Sequence, residues 1–299
     1  MYAQEMKLPE GKKCAAFISV NLAAEFFWLS LDKKAAEMPK TLSLGQYGMT
    51  HGLPRLLGLL DELHLKATFF VPGKTAETYP DKIKEIADRG HEIACHGYMH
   101  ESDPNLSREE MCEILDRSEA ILAEITGRKP VGHRGPESVI HPFTPQLLAE
   151  RGYLYSSSMK DCDWAYLWEQ DDKTLPLVEL PNDITMDDFT YYYFTFSDPA
   201  VRCMYPNREV FGNWKQEFDG LALEGNKIFI LKLHPQMIGR ASRIGMVGEL
   251  ISYMKAHGAW IATCEEVARY VLEQNQNGNQ TQNLSTNLNN RTEENGGIQ

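Results

Sequence analysis

The feature of this sequence that most limits its fold is an alternation between short apolar runs and amphipathic segments. Cys14 to Leu22 and Lys227 to Leu233 are nearly continuous apolar runs, one towards each end of the chain. Such runs are typical of strands that are buried on both faces of a parallel sheet. From Gly52 to His64 the leucines follow a helical period, and Leu65 to Val71 again has the pattern of a strand. These segments predict a first βαβ unit.

The same alternation continues along most of the chain. Ser107 and Glu110 have the spacing of a capping box, which predicts a long helix that begins there and ends at Gly127. Thr144 has the position of an N-cap residue, with Pro145 at the first helical position. Further helices are predicted over 80–89, 210–223, 243–257 and 265–274, and further strands over 91–96, 131–136 with a turn, 153–159 and 259–263. Six or seven β/α repeats imply a barrel-like parallel sheet, with its chemistry at the carboxyl ends of the strands.

Three segments depart from this pattern. Residues 26–48 are predicted to form a long loop, of the kind that often serves as a lid. Residues 160–210 form an acidic, aromatic insertion, which lines a substrate cleft, packs under the loop or serves an interface. Residues 275–299 are rich in Asn and Gln and contain no aromatic residue, which predicts a disordered tail. We therefore expect a single barrel domain over 1–274, followed by that tail.

Composition excludes several classes of function. A formal net charge of −12 and the lack of a basic run argue against nucleic-acid binding, because phosphates need cationic partners. No run reaches the length of a transmembrane helix, and no apolar stretch of signal-peptide length follows the polar start, so we expect no membrane association. The 6 cysteines are scattered singly. This pattern predicts reduced thiols in a cytoplasmic protein.

The predicted strand ends carry the polar residues that could perform chemistry. His96 and His100 are four positions apart after a strand-like run, which favours a metal site, although such a pair also occurs by chance. Asn21, Arg134 and His234 come at or directly after three other predicted strands, and Glu25 lies just beyond the first. Together they form the inventory of metal-assisted hydrolysis. His91 and His133 are interpreted as structural.

Four segments of the chain resemble the polysaccharide deacetylase (NodB-homology, carbohydrate esterase 4) superfamily. They are 68–73, 90–101, 132–136 and 233–240, and the resemblance extends over residues 14–272. It is strongest to the intracellular branch with peptidoglycan-deacetylase-like, allantoinase-like and cyclic-imidase-like members. The resemblance implies an α/β fold, a distorted (β/α) barrel with about seven parallel strands.

The resemblance also implies roles for particular residues. In typical members one aspartate at the end of the first strand is the general base, and a second aspartate two residues later joins two histidines on a divalent metal. Metal-bound water attacks an amide carbonyl and a late histidine protonates the leaving amine. His96 and His100 match the metal histidines, Arg134 matches the motif arginine and His234 matches the acid.

The chain departs from the family pattern at the first strand. The two aspartates are replaced by Asn21 and Ala23, which can neither accept a proton as a carboxylate does nor ligate a metal through one. Allantoinase-like members resemble the chain in having Asn at the first position and are thought to work without metal, but they tend to lose the histidine that is His100 here. Glu25 is therefore the candidate base or third ligand beside His96 and His100, and a bound zinc ion is expected to be weak or absent.

The expected function is hydrolysis of a non-peptide C–N bond. The substrate is expected to be a small amide, a cyclic imide or ureide, or an N-acetylated sugar, with His234, Glu25, Asn21 and Arg134 as catalytic residues. The resemblance also implies association into a homo-oligomer. The alternative is a catalytically impaired protein with a binding role, or an enzyme inactivated by substitution, because both motif aspartates are missing.

Overall fold

A single curled sheet organises the molecule. The structure is a computed structural model and describes residues 6–194 and 204–276. Its nine strands are β1 Cys14–Asn21, β2 Thr68–Val71, β3 Glu92–Cys95, β4 Gly132–His133, β5 Tyr155–Ser156, β6 Tyr166–Gln170, β7 Lys173–Glu179, β8 Lys227–Leu233 and β9 Ala259–Ile261. The α-helices are α1 Phe26–Leu31, α2 Pro39–Tyr47, α3 Leu53–Glu62, α4 Gly73–Thr78, α5 Pro80–Asp88, α6 Arg108–Thr126, α7 Thr144–Glu150, α8 Asp188–Tyr192, α9 Asn207–Glu224, α10 Pro235–Ile238, α11 Ala241–Ala256 and α12 264–276.

The strand order is β6-β7-β5-β4-β3-β2-β1-β8, and β9 also pairs with β1. Every pairing is parallel except the one between β6 and β7. In the described part of the chain no strand pairing joins β6 to β8, so the sheet forms a half-barrel. The predicted α/β class and barrel-like parallel sheet are confirmed, with one antiparallel strand added at the edge.

Strand β1 pairs with three strands, β2, β8 and β9, and all of its residues are buried. Its register places Asn21 beside Phe70 of β2 and Val20 beside Leu233 of β8. Because parallel strands end at the same edge of a sheet, Asn21, His96, Arg134 and His234 are all delivered to one rim. This rim carries the candidate site.

Several predicted helix boundaries agree with the structure. Ser107 Oγ accepts the N–H of Glu110, and the Glu110 carboxylate accepts the N–H of Ser107, so the capping box forms as predicted. Gly127 ends α6 with a φ of 78°, a conformation that glycine adopts without strain. The prediction that Thr144 is an N-cap residue was wrong: Phe143 precedes the helix, and the Thr144 hydroxyl accepts the N–H of His141 instead.

Other predictions were corrected by the structure. Residues 26–48 are not a loop but contain α1, α2 and a short 3-10 turn over Lys33–Glu37, because α1 and α2 pack beside the rim. The insertion 160–210 contains the β6–β7 hairpin, whose turn residues Asp171 and Asp172 both have positive φ. Residues 275 and 276 continue α12, and the rest of the predicted tail lies outside the described residues.

The segment that leads out of β8 packs tightly against a π-helical turn over Gly48–Gly52. A Cβ atom on Gly52 would collide with the carbonyl oxygen of Pro235, directly after His234. Glycine is therefore required where this turn supports α10. Within the described residues, none of the helices combines the length and apolar character needed to cross a membrane.

Candidate functional site

A cavity of about 440 Å³ opens at the rim where the strands end. This volume lies in the usual range for small-molecule sites. Four of the predicted site residues line it: Asn21, His100, Arg134 and His234. The insertion contributes Lys160, Ile184, Asp187 and Phe189, so part of it lines a cleft, while Tyr191 and Tyr192 are buried in the core.

Arg134 is the cation at the floor of this cavity. Its side chain is almost fully buried and lies over the ring of Phe70, 3.9 Å from the centroid. The guanidinium donates to Asn21 Oδ1 at 2.9 Å, to Ser19 Oγ at 3.1 Å, and to the hydroxyl and carbonyl oxygens of Ser157. Burial lowers the pKa of Arg134, but an arginine stays charged in a protein. A buried cation is therefore surrounded by neutral acceptors.

The side-chain amide of Asn21 connects Arg134 to His234. Because Arg134 donates to Oδ1, the amide nitrogen Nδ2 is left to face His234 Nε2, at 3.3 Å. An amide nitrogen can only donate, so His234 Nε2 must accept. This requirement assigns the lone pair of the neutral imidazole to Nε2 and its proton to Nδ1.

Asp188 completes the chain of hydrogen bonds. Its carboxylate accepts the His234 Nδ1–H at 2.7 Å and the His234 backbone N–H at 2.8 Å, and it is fully buried. Burial raises the pKa of Asp188, whereas contact with His234 opposes that rise. Arg134, Asn21, His234 and Asp188 thus form what we call the relay, in which every hydrogen bond points towards Asp188. This tautomer matches that of a histidine general base held by a carboxylate.

Asp187 has a different partner from its neighbour. Lys232 Nζ lies 3.0 Å from Asp187 Oδ2 and donates to Asn182 Oδ1 at 2.9 Å. Burial raises the pKa of Asp187, but His234 and Lys232 outweigh it, so the pKa of this carboxyl is lowered. Asp187 is therefore an ionised partner of Lys232.

The two motif histidines lie side by side. His96 Nδ1 is 2.7 Å from the Arg134 carbonyl oxygen and must donate to it, which leaves the lone pair on Nε2. That buried Nε2 has no hydrogen-bond partner among the described residues. The ring of His100 stands edge-on to His96, with centroids 5.0 Å apart. Burial, followed by the proximity of His234, lowers the pKa of His100 to about 4, so both imidazoles are neutral and suited to hold a metal.

The structure does not bring Glu25 to these histidines. Both oxygens of the Glu25 carboxylate accept from the Tyr79 hydroxyl, at 2.8 and 2.9 Å, and Glu25 does not line the cavity. Among the described residues, the set of three acidic or histidine ligands that lies within 4.8 Å is Asp187, Asp188 and His234. These three side chains already have protein partners: Asp187 is paired with Lys232, and Asp188 and His234 are hydrogen-bonded to each other in the relay. In the described part of the chain, His96 and His100 therefore lack the third protein ligand that a catalytic zinc site needs.

Three site residues, Asp188, Lys160 and Lys232, were not predicted from the sequence. Lys232 interrupts the apolar run of β8 and is 5% exposed, so a charge in a buried strand was the available signal. Asp188 lies in the acidic insertion, 46 residues before His234, and no sequence spacing connects the two.

Comparison with known proteins places the chain in a family. The model of the family described as polysaccharide deacetylase matches residues 44–156. The peptidoglycan deacetylase-like protein FGM2 of Gibberella zeae is 30% identical over an alignment of 302 positions, gaps included. The alignment covers 89% of this chain and 88% of that protein.

Two solved structures extend the comparison. A crystal structure of a candidate polysaccharide deacetylase from Mycobacterium smegmatis is 35% identical, with a TM-score of 0.87, and the match covers 92% of this chain and 96% of that one. PuuE allantoinase is 25% identical, with a TM-score of 0.75 and a match that covers 88% of this chain and 91% of that one. The similarity to FGM2 and to the Mycobacterium smegmatis structure extends over nearly the whole chain, and this chain belongs to the polysaccharide deacetylase family of the NodB-homology superfamily.

Proposed function

We propose that this chain hydrolyses a C–N bond of a small amide, a cyclic imide or ureide, or an N-acetylated sugar. Family membership supports a hydrolase that acts on C–N bonds other than peptide bonds. The similarity to both a peptidoglycan deacetylase-like protein and an allantoinase supports this range of substrates. The observation that carries the proposal is the relay, whose His234 Nε2 lone pair and Asn21 amide line the cavity.

The relay supplies a base for the first step of hydrolysis. A water molecule replaces the Asn21 amide as the donor to the single lone pair of His234 Nε2. Nε2 then takes a proton from this water as the water oxygen bonds to the carbonyl carbon, and Asp188 stabilises the resulting imidazolium. The C–N bond then breaks, and His234 returns the proton to the departing nitrogen. Asn21 has a second Nδ2–H that can donate to the carbonyl oxygen as negative charge develops there.

His234 therefore takes on a role that the family gives to an aspartate. An aspartate at position 21 would accept from both Arg134 and a protonated His234, and would hold the imidazole as an acid. Asn21 donates to Nε2 instead and holds the imidazole as a base. Glu25, whose oxygens are bound to Tyr79, has no part in this scheme.

Metal-dependent chemistry is general among deacetylases of this superfamily. The residues present here do not fit that metal centre. Ala23 occupies the position at which the family has an aspartate that binds the metal together with the two histidines, His96 and His100. We propose that zinc binds weakly or not at all, and no step above depends on it.

Hydrolysis is tested with purified protein on N-acetyl sugars, hydantoins and succinimides, with and without added zinc. We expect turnover that the substitution His234→Gln abolishes and that chelation leaves largely intact. The matched control is His257→Gln, on the exposed end of α11. If no compound is turned over under any metal condition, the hydrolase proposal is wrong and the alternative, a protein that binds its ligand without chemistry, takes its place.

The cysteines support a proposed cytoplasmic location. The five in the described residues, Cys14, Cys95, Cys112, Cys162 and Cys264, are all free thiols. Burial raises the pKa of Cys95 and Cys264 to about 12, which keeps them unreactive. Free thiols are typical of reducing compartments.

A further inference from the structure

The cations of the cavity outnumber the carboxylates that are free to pair with them. Arg134, Lys160 and Lys232 all line the cavity. Lys232 is paired with Asp187, and Asp188 is occupied by both N–H groups of His234. These two carboxylates are therefore taken, and Arg134 and Lys160 remain.

Arg134 has an unfilled hydrogen-bonding position. A guanidinium carries five N–H groups. Within the described residues four of them are used: one on Nε, two on Nη1 and one on Nη2, and all four acceptors are neutral oxygens. One N–H on Nη2 and the whole positive charge are thus left without a protein partner. A buried charge without a counter-ion is costly, so an anion supplied by a ligand would be bound favourably.

Lys160 is in the same situation. Its Nζ donates to the neutral Asn182 Oδ1 at 3.3 Å, and no aspartate or glutamate of the described residues forms an ion pair with it. Burial, then Lys232 and Arg134, lower the pKa of Lys160 to about 8. Glu137, the remaining carboxylate of the lining, is exposed at the mouth and forms no ion pair in the described part of the chain.

We propose that the ligand carries a carboxylate, which binds to Arg134 and Lys160 while its amide or ureide group faces His234. The statement about the amide rests on the proposed function, whereas the statement about the carboxylate does not. The side chains of Phe27, Ile184 and Phe189 form an apolar part of the same lining and would cover the uncharged remainder of the ligand. The class of ligand is therefore a small carboxylate-bearing amide or ureide, and neutral analogues bind less well.

Binding of matched compounds tests this inference without requiring turnover. N-acetylmuramic acid differs from N-acetylglucosamine by a lactyl ether that carries a carboxylate, and hydantoin-5-acetic acid differs from hydantoin by an acetate group. By titration calorimetry, we expect the acid of at least one pair to bind about 10- to 100-fold more tightly, as expected for a charge-assisted hydrogen bond. Sodium chloride should narrow the difference.

Variants of Lys160 test whether this cation causes the preference for a carboxylate-bearing ligand. Lys160→Gln should clearly lower the affinity ratio of the preferred pair, because Arg134 alone then holds the carboxylate, and Lys160→Arg should retain most of the ratio. The matched control is Lys84→Gln, which removes an exposed ammonium on α5 that is paired with Asp88. Equal affinities within both pairs in the wild type, undetectable binding of both acids at millimolar concentration, or an unchanged ratio in Lys160→Gln would each overturn the proposal.

The same experiment separates this inference from the proposed function. A carboxylate preference that Lys160→Gln lowers, without any turnover, would support the anion site and contradict the hydrolase. Turnover of both members of a pair, with equal affinities of acid and neutral compound within both pairs, would support the hydrolase and contradict the anion site.

Discussion

Replacing Asp188 with asparagine should break the relay at its last hydrogen bond. The new side chain keeps the shape of aspartate, and its oxygen can still accept the His234 backbone N–H. Its amide nitrogen then faces Nδ1 of the ring, where a donor meets a donor. The imidazole relieves this conflict by moving its proton to Nε2, but Nε2 then opposes the Asn21 amide nitrogen. No tautomer of His234 satisfies both neighbours.

The size of the effect follows from these contacts. One buried donor is left without an acceptor, which costs about 1–3 kcal/mol of unfolding free energy. Removal of a carboxylate whose pKa is raised by burial offsets part of that loss. The rate should fall more steeply, by roughly 10³- to 10⁴-fold, because the base no longer presents its lone pair to the substrate.

Two measurements check this prediction. Urea unfolding gives the change in stability, and ¹⁵N NMR of the histidine rings reports which nitrogen of His234 carries the proton, whether or not a substrate is known. Asp187→Asn is the control, because Asp187 lies farther from the ring, at 3.6 Å, and pairs mainly with Lys232. If Asp188→Asn keeps both the wild-type tautomer and the wild-type rate, the reasoning about the relay is refuted.

Three further predictions follow from other contacts. The double substitution Asn21→Asp with Ala23→Asp should restore a family-type metal centre. The zinc content, measured by plasma emission spectrometry, should rise towards one ion per chain. A double variant that stays metal-free would contradict the inference that the missing aspartate prevents zinc binding. His133→Leu should stabilise the protein by about 1 kcal/mol at neutral pH, because neither ring nitrogen of His133 has a partner among the described residues. Burial lowers the pKa of His133 from 6.5 to about 4, so the unfolded chain takes up the proton first. The free energy of unfolding of the wild type therefore falls by about 3 kcal/mol as the pH drops from 6.5 to 4. Urea unfolding at several pH values should show a smaller loss for the variant, and an equal dependence of stability on pH in the two proteins would contradict the prediction. Gly52→Ala should destabilise the protein by more than about 2 kcal/mol in thermal or urea unfolding because its Cβ meets backbone, whereas the control Gly58→Ala, with open space around it in α3, should be neutral or stabilising, and equal effects would be inconsistent with the packing described.

Much of the fold could be predicted because local signals and tertiary structure agree. The run of β8 is apolar enough to specify a buried strand, and its predicted bounds match the structure. Ser107 and Gly127 mark the ends of α6 through hydrogen bonds that are local in sequence. The secondary structure of residues 160–210 was harder to predict. The β6–β7 hairpin lies at the sheet edge, and its turn consists of two aspartates and lacks the glycine that usually marks such a turn.

Only the site residues that directly follow a predicted strand could be predicted from the sequence. His234 directly follows a buried strand, so its position at the rim could be inferred. Asp188 reaches the same ring from a short helix far away in sequence, and only the folded chain brings the two together. Glu25 follows β1 closely and was expected at the metal position, but the start of α1 turns its carboxylate towards Tyr79.

Retention of the motif residues has a structural explanation that bears on how this site is interpreted. The His96 ring binds the carbonyl oxygen of Arg134, and the Arg134 side chain in turn bridges β1 and the residue after β5. Loss of either residue would unpair buried polar groups on neighbouring strands, even in a chain that never binds metal. His96 and Arg134 therefore do not by themselves argue for a metal centre. His234 is different: among the described residues its Nε2 has one hydrogen-bond partner, the Asn21 amide, and it lies at the cavity. Catalysis by this site therefore depends on that nitrogen.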